Sequence, residues 1–252
     1  MMMAITGALR GATGDILHVL AVRRTCEGMS MPRTARASVG GYCYHIINRG
    51  NGREEVFHTE GDYQAFVTLL RQASERIPMR LLAYCLMPNH FHLALWPQCD
   101  GDLSTWMQWL LTAHVRRYHR WHESSGHVWQ GRFKAFPIQH DAHLLTVLRY
   151  IEQNPVRAQL AARAEDWRWS SAWQWGDPVP GPRIDPGPVT RPEPWLLWVN
   201  RLVEETEMQR IRQSVNRGAP FGSESWMTQT AALLGLEASL RPIGRPQKLA
   251  EM

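Results

Sequence analysis

The chain has 252 residues, 44% of them hydrophobic and 20% charged, an ordinary globular balance that excludes wholesale disorder. Its longest apolar run, Leu81 to Met87, falls far short of the roughly 20 residues that a membrane-spanning helix needs. There are 28 basic and 23 acidic residues, for a formal net charge of +5, which suits an anionic partner without naming one.

Only Lys134 and Lys248 are lysines; every other basic residue is arginine, the side chain suited to bidentate phosphate contacts and base stacking. A GC-rich genome would also enrich arginine, and accounts for much of the excess. The four cysteines form no CxxC pair, so no zinc knuckle is indicated. The apolar stretch Ile16 to Val22 is broken by His18 and followed by no small-residue cleavage site, which argues against a secretory signal. A cytoplasmic, nucleoid-associated protein is the expectation.

Residues 1–30 carry no sustained period and read as a loose N-terminal extension. Tyr42 to Asn48 is rich in β-formers and precedes the turn signal Arg49-Gly50-Asn51-Gly52. From Asp62 to Ile77 the apolar residues Tyr63, Phe66, Leu69, Leu70 and Ala73 recur at helical spacing. Met79 to Met87 predicts a buried strand, Pro88-Asn89 a tight turn, and His90 to Trp96 a returning strand. A helix is expected from Leu103 to about Trp121, a short strand over Ala135 to Gln139, and a last helix from His143 to Gln153 that stops at Asn154-Pro155. This order predicts an α+β fold: an antiparallel, ferredoxin-like or RNA-recognition-type sheet with helices on one face. The stretch 176–194 contains seven prolines and reads as a linker. It divides a central domain at 31–175 from a small helical C-terminal extension at 195–252 with a basic tail.

His90-Phe91-His92 is the sharpest local feature. On a strand, positions i and i+2 share a face, so both imidazoles point one way while Phe91 enters the core. They are either a pair of metal ligands or two histidines on a half-exposed strand. In the helix LRYIEQNPVRA, Tyr150 and Asn154 are spaced i, i+4 and share a helix face. They could supply a nucleophile and a third ligand, or a core ring and a helix cap. Tyr118 is a rival nucleophile on the helix AHVRRYHRWHESSGH, whose Arg116, Arg117 and Arg120 fit phosphate backbone better than a cation. Val128 to Lys134 interleaves Trp129 with Arg132 and Lys134, a pattern for stacking on bases and pairing with phosphate, or a loop with a core tryptophan. Arg49 could present its guanidinium to the same ligand, and Gly244-Arg245-Pro246 could lie in an A·T-rich minor groove. Trp167, Trp169 and Trp173 are expected to pack the end of the domain.

Taken in order, YHIINRGN, LMPNHFHLAL, VWQGRFK and LRYIEQNPVRA resemble the REP-associated tyrosine transposases, a branch of the HUH single-strand DNA transposases of the insertion-sequence type. The resemblance covers about residues 31–175. It implies a divalent ion, Mg²⁺ or Mn²⁺, held by His90, His92 and Asn154, with Gln153 a nearby alternative, and Tyr150 as the nucleophile. It further implies an endonuclease that cleaves and rejoins single-stranded or hairpin DNA, as monomer or homodimer, next to REP-type repeats through a 5′-phosphotyrosine. Two rivals remain open: a catalytically inactive DNA- or RNA-binding regulator, and a metal nuclease in which water replaces tyrosine.

Overall fold

The computed structural model describes residues 38–176, 181–201 and 203–241. The N-terminal extension expected at 1–30 and Arg245 lie outside these residues. The central elements are β1 (Cys43–Arg49), α1 (Glu60–Arg76), β2 (Met79–Met87), β3 (His90–Pro97), α2 (Asp102–His122), β4 (Lys134–Ile138) and α3 (Ala142–Glu152). Shorter helices follow: α4 (Asn154–Arg157), α5 (Ser171–Gly176), α6 (Trp195–Val199), α7 (Glu205–Arg217), α8 (Glu224–Leu234) and α9 (Glu237–Leu240).

Local chemistry sets the boundaries. The Asp62 carboxylate accepts from the backbone N–H groups of Thr59 at 2.9 Å and His58 at 3.1 Å, which starts α1. That helix ends before Ile77-Pro78, where proline drives its predecessor out of helical geometry. Asp141 caps α3 by accepting from the His143 backbone N–H at 2.8 Å. Pro155 cannot continue α3, and instead sits in the first turn of α4, where its missing N–H costs nothing.

The four strands form one antiparallel sheet in the order β2-β3-β1-β4, and the expected α+β architecture is what forms. Alternation along the strands sends two sets of side chains to two separate cores. Tyr44, Ile46, Phe91, Leu93 and Leu86 face α1 and α2, meeting Phe66, Leu70, Trp106 and Leu110. Cys43, Cys85, Met87 and Ala94 face the other way and are covered by Leu144, Val147, Leu148 and Ile151 of α3. The expectation of helices on one face therefore holds for α1 and α2 but not for α3. The physical reason is that both faces of β1, β2 and β3 are apolar, and each needs a cover.

The C-terminal elements pack on the same body. Trp195, Val199, Met208, Ile211 and Phe221 join the α3-side core, and Phe221 forms a parallel bridge with Ile138 of β4. The described part of the proline-rich stretch lies against β2, with the Asp185 N–H donating to the Leu81 carbonyl at 2.8 Å. No described helix is long and apolar enough to cross a membrane.

Candidate functional site

Register builds the site. His92 lies opposite Ile47 on one side and Cys85 on the other, and His90 lies opposite Arg49 and Met87. Ile47 in turn pairs with Lys134. Paired residues project to the same face of a sheet. Arg49, His90, His92 and Lys134 therefore share the face that α3 covers. His45, one step further along β1, pairs with Ala94 and Phe136 and joins the same face.

The two imidazoles of the HxH strand have ring centroids 5.1 Å apart, and each has its Nδ1 engaged. Asn89 donates its Nδ2 to the Arg53 carbonyl at 2.9 Å, which turns its Oδ1 toward His90 Nδ1 at 2.7 Å. His90 is therefore protonated on Nδ1 and carries a lone pair on Nε2. His92 Nδ1 lies 2.9 Å from His45 Nε2, in a fully buried contact. When His92 is the donor of that bond, it too presents Nε2 as a lone pair.

Burial keeps these rings neutral. It pushes His45 down to about 3, with the Arg157 charge adding to the effect. It pushes His90 down to about 4, aided by Arg49 and Arg157. His92 is held well below the ordinary histidine range, first by burial and then by His45 and His90 beside it. Neutral imidazoles with open lone pairs are what a divalent ion requires of histidine.

Tyr150 comes to this site from α3. Its ring packs edge-on against both buried imidazoles, with centroids 5.8 Å from His92 and 5.9 Å from His45. Arg157 reaches back from α4 and lays its guanidinium 4.0 Å from the centre of the Tyr150 ring. Asn154, one turn on from Tyr150, is turned into the helix. Its Nδ2 donates to the Tyr150 and Ile151 carbonyls at 3.0 and 3.2 Å, and its Oδ1 accepts from Arg157 Nη2 at 2.6 Å. Gln153 faces away and donates to the carbonyls of Val199 and Arg201, both at 3.0 Å.

The outer side of α3 is braced. The Glu152 carboxylate, fully buried, accepts from Ser171 Oγ and Trp195 Nε1, each at 2.6 Å, and from Trp175 Nε1 at 3.2 Å. Burial pushes its pKa up, while those donors and Arg191 oppose the rise.

Other candidates fall elsewhere. Trp129, expected to stack on bases, is only 6% exposed and packs against Phe57, Phe66, Phe91 and His114. Its ring faces are taken up by the core, so it has none to offer a base. Tyr118 lies on α2, across the sheet from His92, hydrogen-bonded to His58 Nε2 at 2.9 Å. Arg116, Arg117 and Arg120 are exposed on that same helix, whereas Arg132 is exposed just before β4 and Lys134 is exposed as its first residue, on the sheet face of His90 and His92. Trp167 donates to the Leu86 carbonyl at 2.9 Å, and Trp169 packs on Tyr63, as expected of residues that close the domain. Sequence reasoning missed His45, Asn89, Arg157 and Glu152. Among these, Arg157 had the clearest signal, since it follows Tyr150 by two helical turns.

Residues 38–154 match the family described as Transposase IS200 like. A candidate REP-associated tyrosine transposase of Haemophilus influenzae is 29% identical over 118 residues, which cover 42% of this chain and 66% of that protein. The match thus spans just under two thirds of the relative's length. Two solved structures are also similar. A REP-associated tyrosine transposase bound to a REP hairpin aligns with a TM-score of 0.47 and 21% identity over 60% of this chain and 89% of that one. A candidate transposase from Deinococcus radiodurans aligns with a TM-score of 0.34 and 19% identity over 50% of this chain and 97% of that one.

Proposed function

We propose, from the match of residues 38–154 to the IS200-like transposase family, that the chain is a single-strand DNA transposase whose nucleophile is Tyr150. The observation that carries the reading is the Tyr150 ring 5.8 Å from the HxH imidazole His92 and 4.0 Å from the Arg157 guanidinium. The Tyr150 oxygen attacks a DNA phosphorus; the new phosphotyrosine bond forms as the bond to the 3′ oxygen breaks. The phenol gives up its proton and the departing 3′ oxygen takes one, leaving a 5′-phosphotyrosine and a free 3′-hydroxyl. Reversal of the same exchange rejoins the strand, so no nucleotide cofactor is consumed.

The donor set suits a divalent ion. Among the described residues no group of three His, Cys, Asp or Glu side chains is arranged to hold a metal ion, so in this reading the Asn154 amide oxygen would have to turn away from Arg157 Nη2 to join His90 and His92. Mg²⁺ or Mn²⁺ held there would draw charge off the substrate phosphate. This chain's own residues set the neutral imidazoles, hold the phenol beside them and exclude water with the α3-side core. Arg49, Arg132 and Lys134 are suited to the DNA backbone near the site, with Arg116, Arg117 and Arg120 as a separate basic patch. The substrate in this reading is a hairpin of the REP type.

Incubation with hairpin DNA and Mn²⁺, followed by a denaturing gel, tests the reading. The expected product is DNA covalently attached to protein, abolished by Tyr150→Phe and retained by Tyr118→Phe. Free cut DNA without an adduct indicates a hydrolytic nuclease, and intact DNA indicates a binding protein; either outcome overturns the proposal.

A further inference from the structure

The site contains a cation without a carboxylate. Arg157 donates through Nη1 to the Tyr150 carbonyl at 3.3 Å, through Nη2 to Asn154 Oδ1 at 2.6 Å, and covers the Tyr150 ring. Among the described residues no Asp or Glu lies within ion-pair distance of it. The two other arginines whose charge is disfavoured by burial differ in this respect. Glu207 supports Arg149, and Glu152 and Asp185 support Arg191. For Arg157 the opposing influence comes first from the Tyr150 phenol beside it, and another arginine, Arg212, adds to the penalty. A desolvated guanidinium is costly unless an anion answers it.

Resting on the transposase reading above, we propose that Arg157 is a catalytic residue that binds the phosphate attacked by Tyr150. Its position over the ring places the charge beside the nucleophile. Its planar fork matches two phosphate oxygens, and the resulting charge-assisted bonds hold phosphorus in line with the phenol. Asn154 Oδ1 fixes one edge of the fork, which makes Asn154 a positioning residue for Arg157 whenever that oxygen is not turned toward an ion.

A substrate-and-protein cycle tests this without metal. The attacked phosphate is first mapped from the wild-type adduct. Binding of the hairpin is then measured in EDTA, with that phosphate either native or replaced by an uncharged methylphosphonate. Wild type should bind the methylphosphonate about tenfold more weakly. Arg157→Gln should bind native DNA about tenfold more weakly and show no further loss with the analogue. Arg157→Met keeps an unbranched stem on the Tyr150 ring and serves as the second variant if glutamine impairs folding. Equal methylphosphonate penalties in wild type and in either folded variant overturn the role of Arg157 alone. Absence of any wild-type adduct overturns the transposase reading, and this proposal with it.

Discussion

His45 Nε2 and His92 Nδ1 meet at 2.9 Å in a fully buried contact between neighbouring strands. The remaining nitrogen of His45, Nδ1, has no hydrogen-bond partner. The pair leaves only one nitrogen of His92, Nε2, for any other purpose, and it fixes the plane of that ring. Groups that orient a ligand in this way typically change metal affinity by about 10–100-fold when removed. His45→Gln should therefore raise the Mn²⁺ concentration needed for half-maximal adduct formation by at least about tenfold. Direct Mn²⁺ titration of the free protein provides the check, and an unchanged affinity would remove His45 from the site.

The buried histidines also tie stability to pH. His45 and His114 are each pushed down to about 3 by burial. The unfolded chain binds a proton below about 6.5 that the folded chain refuses. Stability from these rings is complete above that value and declines as pH falls toward the folded value. By linkage the loss is about 2 kcal/mol per ring at about pH 5. Urea unfolding at several pH values should show this slope, and His114→Gln should make it shallower.

Glu152 should be a stability hot spot. Its replacement by alanine strands the Trp195, Trp175 and Ser171 donors and leaves Arg191 short of one carboxylate. A loss of about 2–4 kcal/mol is expected, read as a lower urea midpoint. Because the same carboxylate braces α3, adduct formation should slow even at temperatures where the variant remains folded.

Trp129→Ala should behave as a core deletion. The ring fills the space between Phe57, Phe66, Phe91 and His114, so a cost of about 3–5 kcal/mol is expected. Hairpin affinity per folded molecule should stay within about twofold of wild type, far less than the loss of a stacked base at about 1–3 kcal/mol would give. A large affinity loss in a stably folded variant would restore the stacking role.

Much of this architecture is legible in residue order because the periods are clean. Phe91 between two histidines sorts a core position from two site positions, and Tyr150 with Asn154 marks one side of a helix. The face that α3 covers is not legible, because Leu144, Val147 and Ile151 give the same helical spacing whichever side of a sheet receives them. His45 escapes notice for a different reason: its partner is 47 positions away, and only strand register brings them together. Trp129 misleads because an aromatic residue among basic ones looks alike in a groove and in a core; its distant neighbours decide which. Arg157, two helical turns beyond Tyr150, becomes meaningful only once its guanidinium is placed over the Tyr150 ring.

Both outer strands of the sheet are already spoken for. Along β2, Leu86 N–H donates to the Trp169 carbonyl, Tyr84 N–H to Ser171 Oγ, and the Leu81 and Leu82 carbonyls accept from Asp185 and Arg191. Along β4, the Pro137 carbonyl accepts from Phe221 N–H. Cutting the protein back to its family-matched segment would strip these covers and bare two rows of amide groups, an open invitation to strand-to-strand self-association. A dimer seen only with such a shortened protein would report on raw sheet margins and say nothing about how the 252-residue chain assembles.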